Sequence, residues 1–110
     1  MDYRRQMLEM DSIRHEQIKL ILAHYGEYAQ RVKAVEELAE LQCEILHNTS
    51  DDVSNVTEKY DSIVSEVADV YVMLEQVLKI YNLLPGDIHE RIKEKLRRTE
   101  DRIAAERGSK

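Results

Sequence analysis

Three glycines and one proline punctuate 110 residues. With so few breakers, nearly all of the chain between them must keep one regular period, and that period is helical. Tyr3, Met7, Met10, Ile18, Ile21 and Tyr25 recur on one face of a first helix over about residues 2–25, with Gly26 as its stop. A second helix covers roughly residues 28–47. The polar stretch "NTSDDVSN", 48–55, is the one loop of any length, and Asn55 with Glu58 resembles a capping box opening a third helix. That helix carries Ile63, Val67, Val70, Leu74, Val77 and Leu78 as a buried stripe. "LLPGD" then interrupts the chain. Asp87 with Glu90 caps a fourth helix running to about residue 105, and 106–110 are expected to fray.

Four helices with short connections and no internal linker predict an all-α four-helix bundle, a single domain over residues 1–110. The apolar arc of helix 2, from Leu41 round to Val32, is wider than one neighbour covers. The bundle is therefore expected to oligomerise through its helix faces, as a homodimer or homotetramer.

Composition excludes several roles. Apolar residues make up 43% and charged residues 35%, the mix of amphipathic helices rather than of a disordered chain. Trp and Phe are absent, so aliphatic side chains, Met and Tyr must build the core. A net charge of −6 argues against a nucleic-acid polymer as partner, because phosphate contacts dominate that affinity. It does not exclude a nucleotide held through a metal. Cys43 is the only cysteine and cannot form an intramolecular disulfide. "MDYRRQMLEM" has no apolar signal core, and no run approaches membrane-spanning length, so the expected location is the cytoplasm, without membrane contact.

The acidic residues of helices 2 and 3 carry the chemistry. At about 100° per residue, Ala34, Leu38, Leu41 and Ile45 face the core of helix 2. Glu37 sits at the edge of that arc, with Glu40 and Glu44 on its more exposed side. On helix 3, Glu66 borders the apolar stripe and Asp69 lies one turn on. Packing the two stripes together would bring Glu37, Glu40, Glu66 and Asp69 toward one point. Acidic residues are one fifth of the chain, so such spacings also arise by chance, and solvated edge residues paired with Lys or Arg fit the geometry as well. Two features favour a cation. Asp69 lies in "EVADVYVMLEQV", the most apolar stretch, where an unpaired carboxylate is costly. Converging carboxylates also need a counter-charge, which a hard cation with oxygen ligands supplies.

Helix 4 presents Ile88, Ile92, Leu96 and Ile103 on one face, with Arg91, Lys95, Arg98 and Arg102 as a basic stripe beside it. Acidic and basic edges at one core boundary suit a polyphosphate, with Arg or Lys gripping its free oxygens. Salt bridging within the bundle is the competing use of the stripe.

"EELAE" followed by "EVAD", with 25 residues between Glu40 and Glu66, resembles the EExxE…ExxD signature of the MazG-like, all-α nucleoside triphosphate pyrophosphatases. "KAVEELAEL", "EVADVYVMLEQ" and "KLRRTEDRI" each resemble a segment of that family, and the likeness covers about residues 18–104. The resemblance implies Glu37, Glu40, Glu66 and Asp69 as magnesium ligands, with manganese a possible substitute. It implies Glu36, Glu37 and Glu40 as catalytic carboxylates, Glu36 being the family's extra glutamate for a second ion or for orienting water. Lys95, Arg98 and Arg102 match basic positions suited to phosphate, and Lys33 and Lys59 are weaker candidates. The implied reaction is hydrolysis of a nucleoside triphosphate to monophosphate and pyrophosphate, by water attack on the α-phosphorus.

Two alternatives remain in view. A ferritin-like di-iron site needs two ExxH motifs, and "EILH" (44–47) is the only one. A non-catalytic helical interaction module, or a family member without activity, is the stronger rival, although all the implied ligands are present. The base specificity is not legible. His24, Tyr25 and Tyr28 are candidates for lining a base pocket, though helix packing is the commoner role of such residues.

Overall fold

A computed structural model describes the backbone of residues 3–47 and 59–108, and the side chains of residues 13–47 and 59–108. The chain is all-helical over these residues: α1 (Tyr3–Tyr25), α2 (Glu27–His47), α3 (Tyr60–Ile80) and α4 (Pro85–Gly108), with no strand among them. The expected Asn55–Glu58 cap, and Tyr3, Met7 and Met10 of the α1 stripe, lie outside the described side chains. Tyr60 opens α3, and its preceding residue, Lys59, makes no side-chain cap.

Gly26 alone joins α1 to α2. Its N–H donates to the Leu22 carbonyl at 2.9 Å, closing α1, and its carbonyl accepts from the Gln30 N–H at 3.2 Å, starting α2. One residue can serve both helices because its φ is +88°, a left-handed conformation open to glycine. A second left-handed residue, Asn82 at φ +53°, ends α3. The Leu83 N–H there turns back to the Leu78 carbonyl at 2.8 Å. Asn tolerates this region better than most side chains do. Pro85 then takes the first position of α4, where its missing N–H costs nothing. Asp87 is consequently not the cap: it lies in the first turn, where its charge suits the helix dipole. At the other end α4 runs to Gly108, past the expected stop.

α2 and α3 pack most closely, in antiparallel register. Glu44 meets Ser62 near one end, Glu37 lies beside Asp69 in the middle, and Gln30 and Gln76 line one cavity further along. α1 lies against both, tied to α3 by an Arg14–Glu75 ion pair and by Lys79 Nζ donating to His15 Nε2 at 3.1 Å. Among the described residues the core is small: Ile18, Ala34, Val70 and Met73, with Gln30 and Gln76 buried among them.

Several residues expected inside are not. Leu38, Ile45, Leu74 and Tyr25 are exposed, and Leu41, Ile63, Val67, Val77 and Leu78 only half-buried, because one facing helix covers a narrower arc than the apolar periodicity marks out. α4 departs furthest from the expected bundle. None of its residues is buried, and Ile88, Ile92, Leu96 and Ile103 are between 39% and 61% exposed. Three helices pack together, and the fourth leaves its apolar face uncovered. Among the described residues, no helix is long and apolar enough to cross a membrane.

Gly26 gives the direct test of the α1–α2 joint. A Cβ there meets no atom within 4 Å, so a substitution is opposed by backbone strain alone. Gly26→Ala should lower stability by about 1–2 kcal/mol, the cost of a left-handed alanine, as read from urea unfolding.

Candidate metal centre

Glu37, Glu40 and Glu44 follow one another at three- and four-residue intervals, so they lie along one side of α2. Glu66 and Asp69 do the same on α3. The antiparallel register sets these two rows face to face. Carboxylate oxygens of Glu37, Glu40 and Glu66 come within 4.8 Å of one another. Asp69 adjoins this group rather than entering it: it is exposed, and it acts on Glu37 from the edge. The apolar run around Asp69 therefore does not bury it, because its position on α3 points toward the rim of the seam. Glu44 belongs to the next turn, where its Oε1 accepts from Ser62 Oγ at 3.1 Å.

The electrostatics of the group are those of acids in want of a counter-charge. Glu37 and Glu66 are each half-buried, and each has a carboxylate oxygen, Oε2, that is buried and without a hydrogen-bond partner. Burial first, then the charges of Glu40 and Asp69, push the Glu37 carboxyl above its ordinary range, and Lys33 opposes this only in part. Lys33 Nζ stands 3.7 Å from Glu37 Oε1, with over half of its side chain in solvent, and such a contact is weak. Glu66 is raised as well, by burial and then by Glu40, Asp69 and Glu44. Three hard oxygen donors, two with orphaned lone pairs, could hold a hard divalent cation. No thiolate or imidazole among them offers zinc its usual ligands.

The remaining expected site residues are dispersed. Glu36 is exposed and lines a neighbouring cavity of about 500 Å³, together with Glu37, Asp69 and Lys33. Lys95, Arg98 and Arg102 are exposed on α4, and no charge from that helix acts on Glu37 or Glu66. Arg91 of the same stripe pairs with Glu94 one turn along, at 3.4 Å. Lys59 is half-buried at the start of α3. Of the aromatic candidates, Tyr25 lines the cavity. His24 packs edge-on against Tyr25 with ring centres 4.6 Å apart, and Tyr28 is 74% exposed. Sequence reasoning missed Gln30 and Gln76, which are buried on the wall of the same cavity. The available signal was Gln76 itself, a lone amide inside "VMLEQVLKI".

A larger cavity, of about 690 Å³, opens between α1 and the end of α3. Its cations are already engaged, Arg14 by Glu75 and Lys79 by His15. No family model, no curated protein and no solved structure matches the chain.

Raised carboxyls make a signed prediction. Between the ordinary carboxylate pKa and the raised ones, the folded metal-free chain holds more protons than the unfolded chain. The benefit is complete on the acid side of that window and is lost as pH climbs through it. In EDTA, Glu66→Gln should melt at or above the parent at neutral pH, and the gap should close as pH falls toward the ordinary carboxylate range. A variant melting well below the parent at neutral pH would mean that Glu66 is held by a cation of the protein, since breaking such a pair strands a charge.

Proposed function

We propose that this chain is a metal-dependent nucleoside triphosphate pyrophosphohydrolase of the MazG-like type, acting on the cytoplasmic nucleotide pool. The observation that carries this reading is the meeting of Glu37, Glu40 and Glu66 across α2 and α3 with two carboxylate oxygens orphaned. Glu37, Glu40 and Glu66, with Asp69 at their edge, would hold magnesium or manganese. The bound ion supplies positive charge to the triphosphate and to the oxygen that becomes negative as pyrophosphate leaves. Glu36, at the mouth of the adjoining cavity, orients the attacking water, and the nearby carboxylates take up its proton. Water oxygen bonds to the α-phosphorus as the bond from that phosphorus to the bridging oxygen breaks, giving monophosphate and pyrophosphate.

The basic stripe must then reach the carboxylates from another chain. Lys95, Arg98 and Arg102 stand on a helix that leaves its own bundle. The surface argues for such a partner. The chain exposes 9611 Å², against about 6,300 Å² for a compact chain of its mass. Its radius of gyration is 18.1 Å against about 13 Å. Contacts between subunits are one way to bury such an excess. A homodimer or homotetramer that covers α4 would bring a phosphate grip to the acids.

The uncovered α4 face also fits a non-catalytic interaction module, and one assay separates the two. Purified protein with magnesium should release pyrophosphate from a nucleoside triphosphate, and the release should stop in excess EDTA and in Glu40→Gln. Arg98→Ala should lower kcat/KM by roughly ten- to hundredfold, the worth of one charge-assisted contact of about 1.5–3 kcal/mol. No release from any nucleotide with either ion would leave the module.

The assembly has its own test. Ile92→Asp places a charge in the apolar row of α4, which is already exposed in the single chain. Light scattering should show the parent as at least a dimer and the variant shifted toward monomer. A parent that is monomeric throughout removes the subunit argument.

A further inference from the structure

Gln76 is the most deeply buried large side chain described, 2% exposed, and its Oε1 has no hydrogen-bond partner. It lines the cavity of about 500 Å³ that Glu37 and Asp69 also line. An amide oxygen left unpaired in a protein interior is destabilising, and leucine or methionine would fill the same space without that penalty. Nothing in the packing of α2 on α3 requires an amide there. A ligand that enters the cavity and completes its hydrogen bonds gives the residue a purpose.

The surroundings define that ligand. The cavity falls within the range of about 300–1,000 Å³ common to small-molecule sites. Ile21, Val72 and Met73 give it apolar walls, Tyr25 an aromatic one, and Gln30 a second buried amide. A primary amide presents an acceptor and a donor side by side, and a planar heterocycle with a donor beside an acceptor meets both at once. Position agrees with this. Gln30 precedes Glu37 by seven residues, about 10 Å along α2. That separation matches the reach of a nucleoside from its 5′ oxygen to the far edge of its base.

We propose that this cavity is the nucleobase site of the substrate, with Gln76 pairing to the hydrogen-bonding edge of the base. The assignment rests on the pyrophosphohydrolase reading for its substrate class, and it adds the element that reads the base. The carboxylates take the phosphate end, and the amide takes the other end of the same molecule.

The test compares ligands with and without a base. Nucleoside monophosphates and inorganic tripolyphosphate are titrated calorimetrically into the parent, Gln76→Leu and Val72→Trp, the monophosphates in EDTA and tripolyphosphate with magnesium. Gln76→Leu should weaken monophosphate binding by tenfold or more, leave tripolyphosphate binding within twofold, and melt no lower than the parent without ligand. Val72→Trp fills the cavity from its rim and should show the same split without touching the amide. Parental monophosphate affinity in both variants overturns the proposal, as does a parent that binds tripolyphosphate but no monophosphate. The outcomes also separate this inference from the one beneath it. Selective loss of monophosphate binding in a protein that releases no pyrophosphate supports the pocket and refutes the enzyme. Parental pyrophosphate release with parental KM in Gln76→Leu overturns the pocket and keeps the enzyme.

Discussion

The antiparallel seam between α2 and α3 is the constraint on which everything else depends. Two helices of 21 residues each meet along a line that is polar for much of its length. Glu44 faces Ser62, Glu40 and Glu37 face Glu66 and Asp69, and Gln30 shares a cavity wall with Gln76. Reversing one helix or slipping the register by a turn would scatter these groups among apolar neighbours. Stability alone would favour a seam of Leu and Ile. A seam built this way instead leaves carboxylate and amide oxygens unsatisfied, and charge placed beside like charge is a standing cost to the free chain.

That cost falls on a chain with little core to offset it. Among the described residues, Ile18, Ala34, Val70 and Met73 are the buried apolar ones, and Gln30 and Gln76 occupy positions where apolar side chains would add to them. A helix such as α4, with no buried residue, gains little from its own bundle, and most helical stability in proteins comes from packing an apolar face. Anything that binds only the folded chain adds directly to its stability: a cation at the carboxylates, a second copy along α4, a planar ligand against Gln76. On the proposed reading, the folded state and the activity would draw on the same three contacts.

Helical period made the elements legible. Gly26, with its positive φ, and the "LLPGD" break fall where the punctuation put them. The rows of acids on α2 and α3 were legible for the same reason, since spacing alone sets the face of a helix. What spacing cannot supply is how much of a face its neighbour covers. Leu38, Ile45 and Leu74 look like core by period and are exposed because a single helix covers only part of the apolar arc. The hydrophobicity of its neighbours in sequence makes an unpaired Asp69 look costly, yet Asp69 is exposed because those neighbours project elsewhere around α3. The same argument applied to Gln76 would have been right. Both are polar residues in one apolar run, and only the direction each takes from α3 separates them.

The separation of acids from bases in this fold has a physical logic. Had Lys95, Arg98 and Arg102 stood on α3 beside Glu66, they would have closed salt bridges with it, as Arg14 does with Glu75 and Arg91 with Glu94. A carboxylate so paired has little left to offer a cation. Glu37 and Glu66 show the opposite: their carboxyls are raised, and Lys33 alone tempers one of them from a largely solvated position. Placing the basic stripe on a helix that leaves its own bundle keeps the two sets of charge apart within a chain. A triphosphate with its metal is the molecule that can satisfy both, because it presents cation to the acids and anionic oxygens to the arginines. The acids are thus held short of neutralisation within the chain, which on the proposed reading leaves the electrostatic energy of pairing available to a metal-bound triphosphate.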